Sequence, residues 1–566
     1  MAPRRRTTLA GAVVLAVAGL AVPGYATTRV ETPVATSSPV REVVESVVRL
    51  RIPLPGTGHP PECDWVSYLR FRHRNGPAEA ARADRILVAQ PGVLEGAAAF
   101  DGVARNTIVA AAGKGRYVEL WALDRRSNCL EDNTGVRAGL AARDAHLAVD
   151  YYYRKKPVGG RTFAGYLGND QVRFLQDVGI ERTVRDQYEL MRRELPDPAV
   201  RKEKVLCGGH SLGGMVTGFF AVWDFDGDHS TTADAGHNQC SGYFALDSRI
   251  QAGGIGLERL VPSNVLPEEG TTPDLIRLGL ELGIIPRTLS APAVINAETM
   301  NLLAIAGLAA RNDPDGESDL STYIPASFNQ DTTYRVLFSK DYATFLRGTP
   351  TVRDFRFSNE AALGGLMDDN SVPLGFVQTS VGFFDGGRIA DKDFPLPNDL
   401  AGLPPLEPLK RLVGTGRKAI PDEPGGPLYT WRNYDRVGAP DDPVHKGRDG
   451  KPFTTAADEV TDIGQLARSL AEHPLDFTED YFPTRLVTDI AFGEHEDAVH
   501  AGGIAANPTI LLLAGDGVLP PPEPREGVKQ VVAPGYQHLD VLTAAAVQNG
   551  GRPERISVEL AAFATG

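Results

Sequence analysis

Beyond the N-terminus the chain has no run of 18 consecutive apolar residues, so nothing after the first two dozen positions reads as a membrane span. Positive charge is in deficit: 58 Lys and Arg stand against 72 Asp and Glu, a net charge of −14 at pH 7. No polybasic run interrupts that balance. The deficit excludes the electrostatic footprint of a nucleic-acid binder and an evident means of docking on anionic lipid. Internal repeats are absent, and so is low-complexity sequence beyond a Thr-, Val-, Pro- and Ser-rich lead-in at 27–48. Cysteine is scarce, with four in 566 residues (Cys63, Cys129, Cys207, Cys240), which allows three pairings in an oxidising compartment. Cys63 and Cys129 both sit in loop-like sequence and form the favoured bridge; Cys207 and Cys240 either bridge or stay as small buried residues.

What is present begins with an export signal. Arg4, Arg5 and Arg6 form a positive n-region, Leu9 to Val22 an apolar stretch, and Gly24-Tyr25-Ala26 a small-residue cleavage site. The apolar stretch is too short for a comfortable span. Cleavage near Ala26 removes three arginines and no acid, leaving a more acidic mature chain, expected to be secreted and to have no stable membrane span.

The rest of the chain divides by pattern. Residues 27–80 form the lead-in and an edge strand around Cys63 to Arg74. Residues 81–250 alternate buried strands (Arg85–Gln90, Tyr117–Leu123, Val205–Cys207, Gly242–Leu246) with helical segments (Ala97–Ala112, Ile180–Leu195), the pattern of a parallel sheet covered on both faces. The alternation then stops. Residues 251–484 carry helical pieces (Ala297–Arg311, Ala456–Glu472) between Pro-, Gly- and Asp-rich stretches, and read as an inserted, mainly helical cap. Strands return in 485–566, at Thr509–Ala514 and Val528–Ala533, before a last helix from Ile556 to Phe563. The predicted class is α/β, a doubly wound and mostly parallel sheet with a large cap insertion.

Chemistry concentrates at Gly209-His210-Ser211-Leu212-Gly213, a G-x-S-x-G stretch between a strand and an apolar helix. A sharp turn there lifts a serine hydroxyl clear of the sheet, and glycine on both sides avoids a Cβ clash. A serine needs a base within hydrogen-bond reach and a third group to orient that base. Of the 11 histidines, His538 follows a late strand and comes after the serine, as the order Ser…acid…His requires. His210 is too close to the serine in sequence to reach round as its base. His495 and His500 are five apart and miss the i, i+4 spacing of a helical zinc pair, so they read as loop residues. Two carboxylates compete for the acid: Asp516, after the penultimate strand, is slightly preferred to Asp247, at the end of the strand after the serine. The expected oxyanion donors are the N–H groups of Leu212 and, since Pro91 has none, Val93.

These residues resemble the α/β-hydrolase family. The likeness rests on Gly209 to Gly214, on Pro91-Gly92-Val93, on Asp124-Arg125-Arg126-Ser127 and on Gly535-Tyr536-Gln537-His538-Leu539-Asp540. It covers roughly 80–250 and 485–566. The resemblance implies a serine hydrolase with no metal and no cofactor, cleaving a small-molecule or lipidic carboxylic ester beneath the cap. The same triad also serves acyltransferases and peptidases, and a non-catalytic binding protein on this scaffold is a further alternative. Two other stretches are singled out. Asp224-Phe225-Asp226-Gly227-Asp228 has acids at the alternate positions of a calcium loop but departs from it at His229 and Ala235, and reads as a polar loop. Met300 to Leu308 reads as cap core.

Overall fold

The computed structural model describes residues 28–253, 273–291, 295–400, 404–492 and 495–566; the expected export signal at 1–26 lies outside them. One sheet dominates. Its nine strands are β1 (Arg29–Pro33), β2 (Val43–Arg51), β3 (Trp65–His73), β4 (Arg85–Gln90), β5 (Val118–Leu123), β6 (Val205–His210), β7 (Gly242–Leu246), β14 (Thr509–Ala514) and β15 (Val528–Ala533). In space they run β1-β2-β3-β5-β4-β6-β7-β14-β15. The pairings from β5 through β15 are all parallel. Those joining β1, β2, β3 and β5 are antiparallel.

The central strands form where they do because their residues suit burial on both faces. Every residue of β5, β6, β7 and β14 is buried, which requires a nearly continuous apolar run rather than alternation. Helix Leu212–Val222, likewise buried all round, packs on β4, β6 and β7. Helices Asp101–Ala112 and Arg555–Thr565 pack on each other beside the same sheet. This brings the C-terminal ends of β6, β7 and β14 side by side, so that loops distant in sequence meet there.

Two expectations need correction. The 27–48 lead-in holds β1 and the start of β2, whose Val43, Val48 and Leu50 are buried, so the strand expected at the edge, β3, lies inside the sheet between β2 and β5. The lead-in's composition masked an apolar alternation that only a partner strand makes stable. The 251–484 stretch, expected to be mainly helical, also holds six short strands: β8 (Glu317–Ser318), β9 (Arg356–Ser358), β10 (Gly382–Asp385), β11 (Ile389–Asp391), β12 (Ala419–Pro421) and β13 (Leu428–Asn433). They form a four-stranded sheet, β10-β13-β9-β8, and a two-stranded one, β11-β12. Strands of two to six residues carry too little periodicity to stand out from Gly- and Pro-rich sequence. The helical pieces form, the second over Ile463–Glu472 rather than from Ala456. Ala297–Asn312 starts at an Asn296 capping box and packs along Ile463–Glu472, itself capped by Asp462. Met300, Leu302, Leu303, Ile305 and Leu308 are buried, as expected of core.

Both disulfides are present, Cys63–Cys129 and Cys207–Cys240. The second ties the strand that leads to Ser211 to the segment just before β7. No helix among the described residues is long and apolar enough to cross a membrane.

Candidate active site

Ser211 sits between the end of β6 and helix Leu212–Val222 with φ 52° and ψ −121°. A non-glycine residue holds such a conformation only when its surroundings impose it. The surroundings are tight. A Cβ on Gly209 would lie 2.4 Å from Gln90 O, and one on Gly213 would lie 2.0 Å from the same oxygen. The end of β4 therefore approaches the turn closely enough to require glycine on both sides of the serine.

His538 follows β15, and its Nδ1–H donates to Asp247 Oδ2 at 2.5 Å. Both residues are almost fully buried. The second Asp247 oxygen accepts from Ala514 N–H at 3.1 Å, which fixes the carboxylate plane. Asp247 is thus the carboxylate on His538, and the slight preference for Asp516 is corrected. Asp516 points its backbone elsewhere: its N–H donates to Tyr536 O at 3.0 Å, and its carbonyl accepts from Thr415 Oγ1 at 3.2 Å. The turn it occupies instead passes directly over Asp247, since a Cβ on Gly517 would meet Asp247 Oδ2 at 2.3 Å.

Ser211, His538 and Asp247 all line one cavity of about 320 Å³, together with Val93 and Leu212. Much of its remaining wall is apolar and comes from both the sheet region and 251–484, including Leu94, Met215, Ile295, Phe376, Leu412 and Val487. The Leu212 N–H is the first of its helix and has no intrahelical partner. Among the described residues neither it nor the Val93 N–H makes a backbone hydrogen bond.

The 91–95 loop is held by side chains to which the sequence alone assigned no individual role. The Arg125 guanidinium, nearly fully buried, donates to the carbonyls of Pro91, Gly92 (2.7 Å) and Glu95 (3.0 Å), and to Glu479 Oε2 at 2.6 Å. A trans peptide sends its C=O and N–H in opposite directions. Anchoring Gly92 O on Arg125 therefore turns the Val93 N–H away from that arginine. The Gly92 N–H is spent on Glu95 Oε2 at 2.5 Å. Beneath the loop, Glu95 Oε1 lies 2.8 Å from His210 Nδ1, and His210 Nε2–H donates to His538 O at 3.0 Å. Burial alone would push the His210 imidazole down, but the Glu95 carboxylate beside it raises its pKa above the ordinary histidine value. Burial likewise works against ionised Glu95, and His210 more than offsets it, holding that carboxyl below its usual range. His210 thus links the 91–95 loop to the backbone of His538. The available signal for Arg125 was its place in Asp124-Arg125-Arg126-Ser127, the loop just past a fully buried strand.

His495 and His500 lie in loop sequence after helix Thr484–Phe492 and belong to this site in neither case. His495 packs against Phe219 and Trp223.

No family model and no curated protein matches the sequence. Solved structures with some likeness include a hypothetical protein, PA1622, of Pseudomonas aeruginosa PAO1. It is 13% identical, with 92% of this chain and 98% of that chain covered and a TM-score of 0.26. The peroxisomal alpha-beta-hydrolase Lpx1 of Saccharomyces cerevisiae is 9% identical over 95% of this chain and 88% of its own, at a TM-score of 0.28. A lipase in its open form is 11% identical over 41% of this chain and 56% of its own, at 0.17. Scores of this size carry no argument about the present chain, whose function must be read from its own site.

Proposed function

We propose that this protein is an exported serine hydrolase of the α/β-hydrolase type, cleaving carboxylic esters with an apolar acyl group. The observation that carries the reading is the Asp247–His538 hydrogen bond at the wall of the cavity that Ser211 also lines. Ser211 Oγ attacks the ester carbonyl carbon, and His538 Nε2 takes the hydroxyl proton. Asp247 keeps the Nδ1–H tautomer in place and stabilises the imidazolium. The negative charge that develops on the carbonyl oxygen is met by the N–H groups of Leu212 and Val93. Collapse of the tetrahedral adduct breaks the ester C–O bond, and the imidazolium proton leaves with the alcohol. A water molecule, deprotonated by His538, then hydrolyses the acyl-enzyme and restores Ser211.

The apolar wall from Leu94 to Val487 suits an acyl chain better than a charged or peptidic group, because burying polar groups there without partners is costly. In this reading 251–484 is the cap, since it supplies part of that wall, and the sheet is doubly wound. Two disulfides and the Arg4–Val22 signal support export. The test is hydrolysis of p-nitrophenyl esters of graded acyl length by the mature chain and by Ser211→Ala. The reading expects turnover by the first and none above background by the second. Equal rates from both would overturn it.

A further inference from the structure

The segment that leaves helix Leu212–Val222 carries a group of carboxylates outside the cavity described above. One carboxylate oxygen each from Asp224, Asp226 and Asp234 lies within 4.8 Å of the others. Their hydrogen bonds are divided in a particular way. Asp224 Oδ1 accepts from Gly227 N–H at 2.7 Å, and Asp226 Oδ1 from Asp228 N–H at 2.7 Å. Asp234 Oδ2 accepts from the N–H groups of Phe225 (2.7 Å) and Asp226 (2.6 Å). Each acid thus spends one oxygen on the loop's own amides. The other oxygens of Asp224 and Asp234, Oδ2 and Oδ1, are buried with no hydrogen-bond partner, and Asp224 is 0% exposed.

An unpartnered carboxylate oxygen on a fully buried residue costs several kcal/mol unless a cation meets it. No Lys or Arg comes within 4 Å of any of the three acids among the described residues. Among the described residues the basic side chain within that distance is His500, whose Nε2 is 3.5 Å from Asp224 Oδ2 without a hydrogen bond. The nearby arginine, Arg185, is engaged with Glu181, Asp497 and the Phe225 carbonyl. His229 faces Asp497.

The geometry points to a calcium site formed by Asp224, Asp226 and Asp234. An all-carboxylate set suits a hard cation, and three acids spread over one loop suit the flexible coordination of calcium more than the strict octahedron of magnesium. The sequence departs from the usual twelve-residue loop at Ala235, where a glutamate is expected, and the fold supplies Asp234 one residue earlier instead. It departs also at His229, where a glycine is expected, and the fold departs at Asp228, whose carboxylate accepts from Ser230 instead. The sharp turn needs a left-handed residue, and Gly227 provides it at φ +81°. A bound ion here would brace the link between the helix after Ser211 and β7, whose end carries Asp247. The Cys207–Cys240 bridge holds that link at one point only. The proposal stands independently of the catalytic reading.

The test uses the mature chain, stripped with chelator and returned to calcium at about 5 mM, above the ~10⁻⁴–10⁻³ M range of extracellular calcium modules. Bound calcium is counted at equilibrium, by dialysis against calcium and elemental analysis of both compartments, and thermal unfolding is followed with calcium, with magnesium and with chelator. The expected results are one calcium per chain lost in Asp226→Asn, and a Tm rise of about 1–2 °C at about 5 mM, roughly a 5- to 50-fold excess over a Kd in that range. Magnesium gives a smaller rise. Asp226→Asn keeps the amide-accepting oxygen and so folds as the stripped wild type does; Asp234→Asn is the second variant. No bound calcium in the wild type overturns the site. So does calcium retained in both variants, which would put the ion elsewhere, such as the buried Asp368–Asp369–Glu459 group.

Discussion

If Arg125 orients the oxyanion loop, removing it must cost stability and turnover by separable routes. Arg125→Met deletes charge-assisted bonds to three carbonyls and leaves the fully buried Glu479 without its cation. Breaking a buried pair from one side costs about 3–5 kcal/mol. The lower end applies, because burial already raises the Glu479 pKa despite Arg125 and Ser127, and losing the arginine raises it further, which makes protonation an easier relief of the buried charge. Changing Glu479 to Gln in the same chain removes that orphaned acid while keeping an acceptor for Ser127 Oγ. The double variant Arg125→Met/Glu479→Gln is expected to recover most of the stability measured by urea denaturation. It will not recover turnover. With Gly92 O released, the Val93 N–H is no longer held, and loss of one oxyanion donor costs about 10²–10³ in kcat. Ester hydrolysis by the double variant, at temperatures where it is folded, is the assay. A kcat/KM equal to wild type would refute the positioning role.

Further outcomes follow from the same site. Asp247→Asn should lower kcat by about 10⁴, as expected when a triad acid loses its charge and the histidine its tautomer, while Asp516→Asn stays within a few-fold of wild type in the same assay. Gly213→Ala places a Cβ 2.0 Å from Gln90 O, a backbone atom that cannot swing aside, so the soluble yield or the melting temperature must fall. Glu95→Gln tests the buried pair through pH. Glu95 is depressed, so its stabilisation is present above the unfolded carboxylate pKa of about 4.3 and is lost as pH falls through its folded value. His210 is raised, so its share is complete below about pH 6.5 and is lost as pH rises through its folded value. Denaturation across pH should therefore show the largest wild-type advantage between about pH 4.3 and 6.5, shrinking on either side. Reducing the Cys63–Cys129 bridge, 66 residues apart, should cost about 4 kcal/mol on chain-entropy grounds, read as a lower denaturation midpoint.

The parts legible in the sequence share a physical cause. β4, β6, β7 and β14 are buried on both faces, so they stand out as apolar runs, and the serine turn announces itself through glycines that the Gln90 carbonyl makes obligatory. The choice between Asp247 and Asp516 was not legible. Both follow the ends of strands that are neighbours in the sheet, and only the side-chain direction, set by Asp247 at φ 39° beneath Gly517, separates them. Arg125 and Glu479 lie 354 residues apart, and no local pattern pairs them. β8 to β13 were missed because such short strands have almost no period.

The central claim is that Ser211 is activated by His538 and attacks an acyl carbon. Its most direct measurement is intact mass and peptide mapping of the mature chain after exposure to a fluorophosphonate. The account predicts one adduct per chain on the peptide bearing Ser211, lost in His538→Ala even though the serine remains. An adduct on another residue, or undiminished labelling without His538, would contradict it.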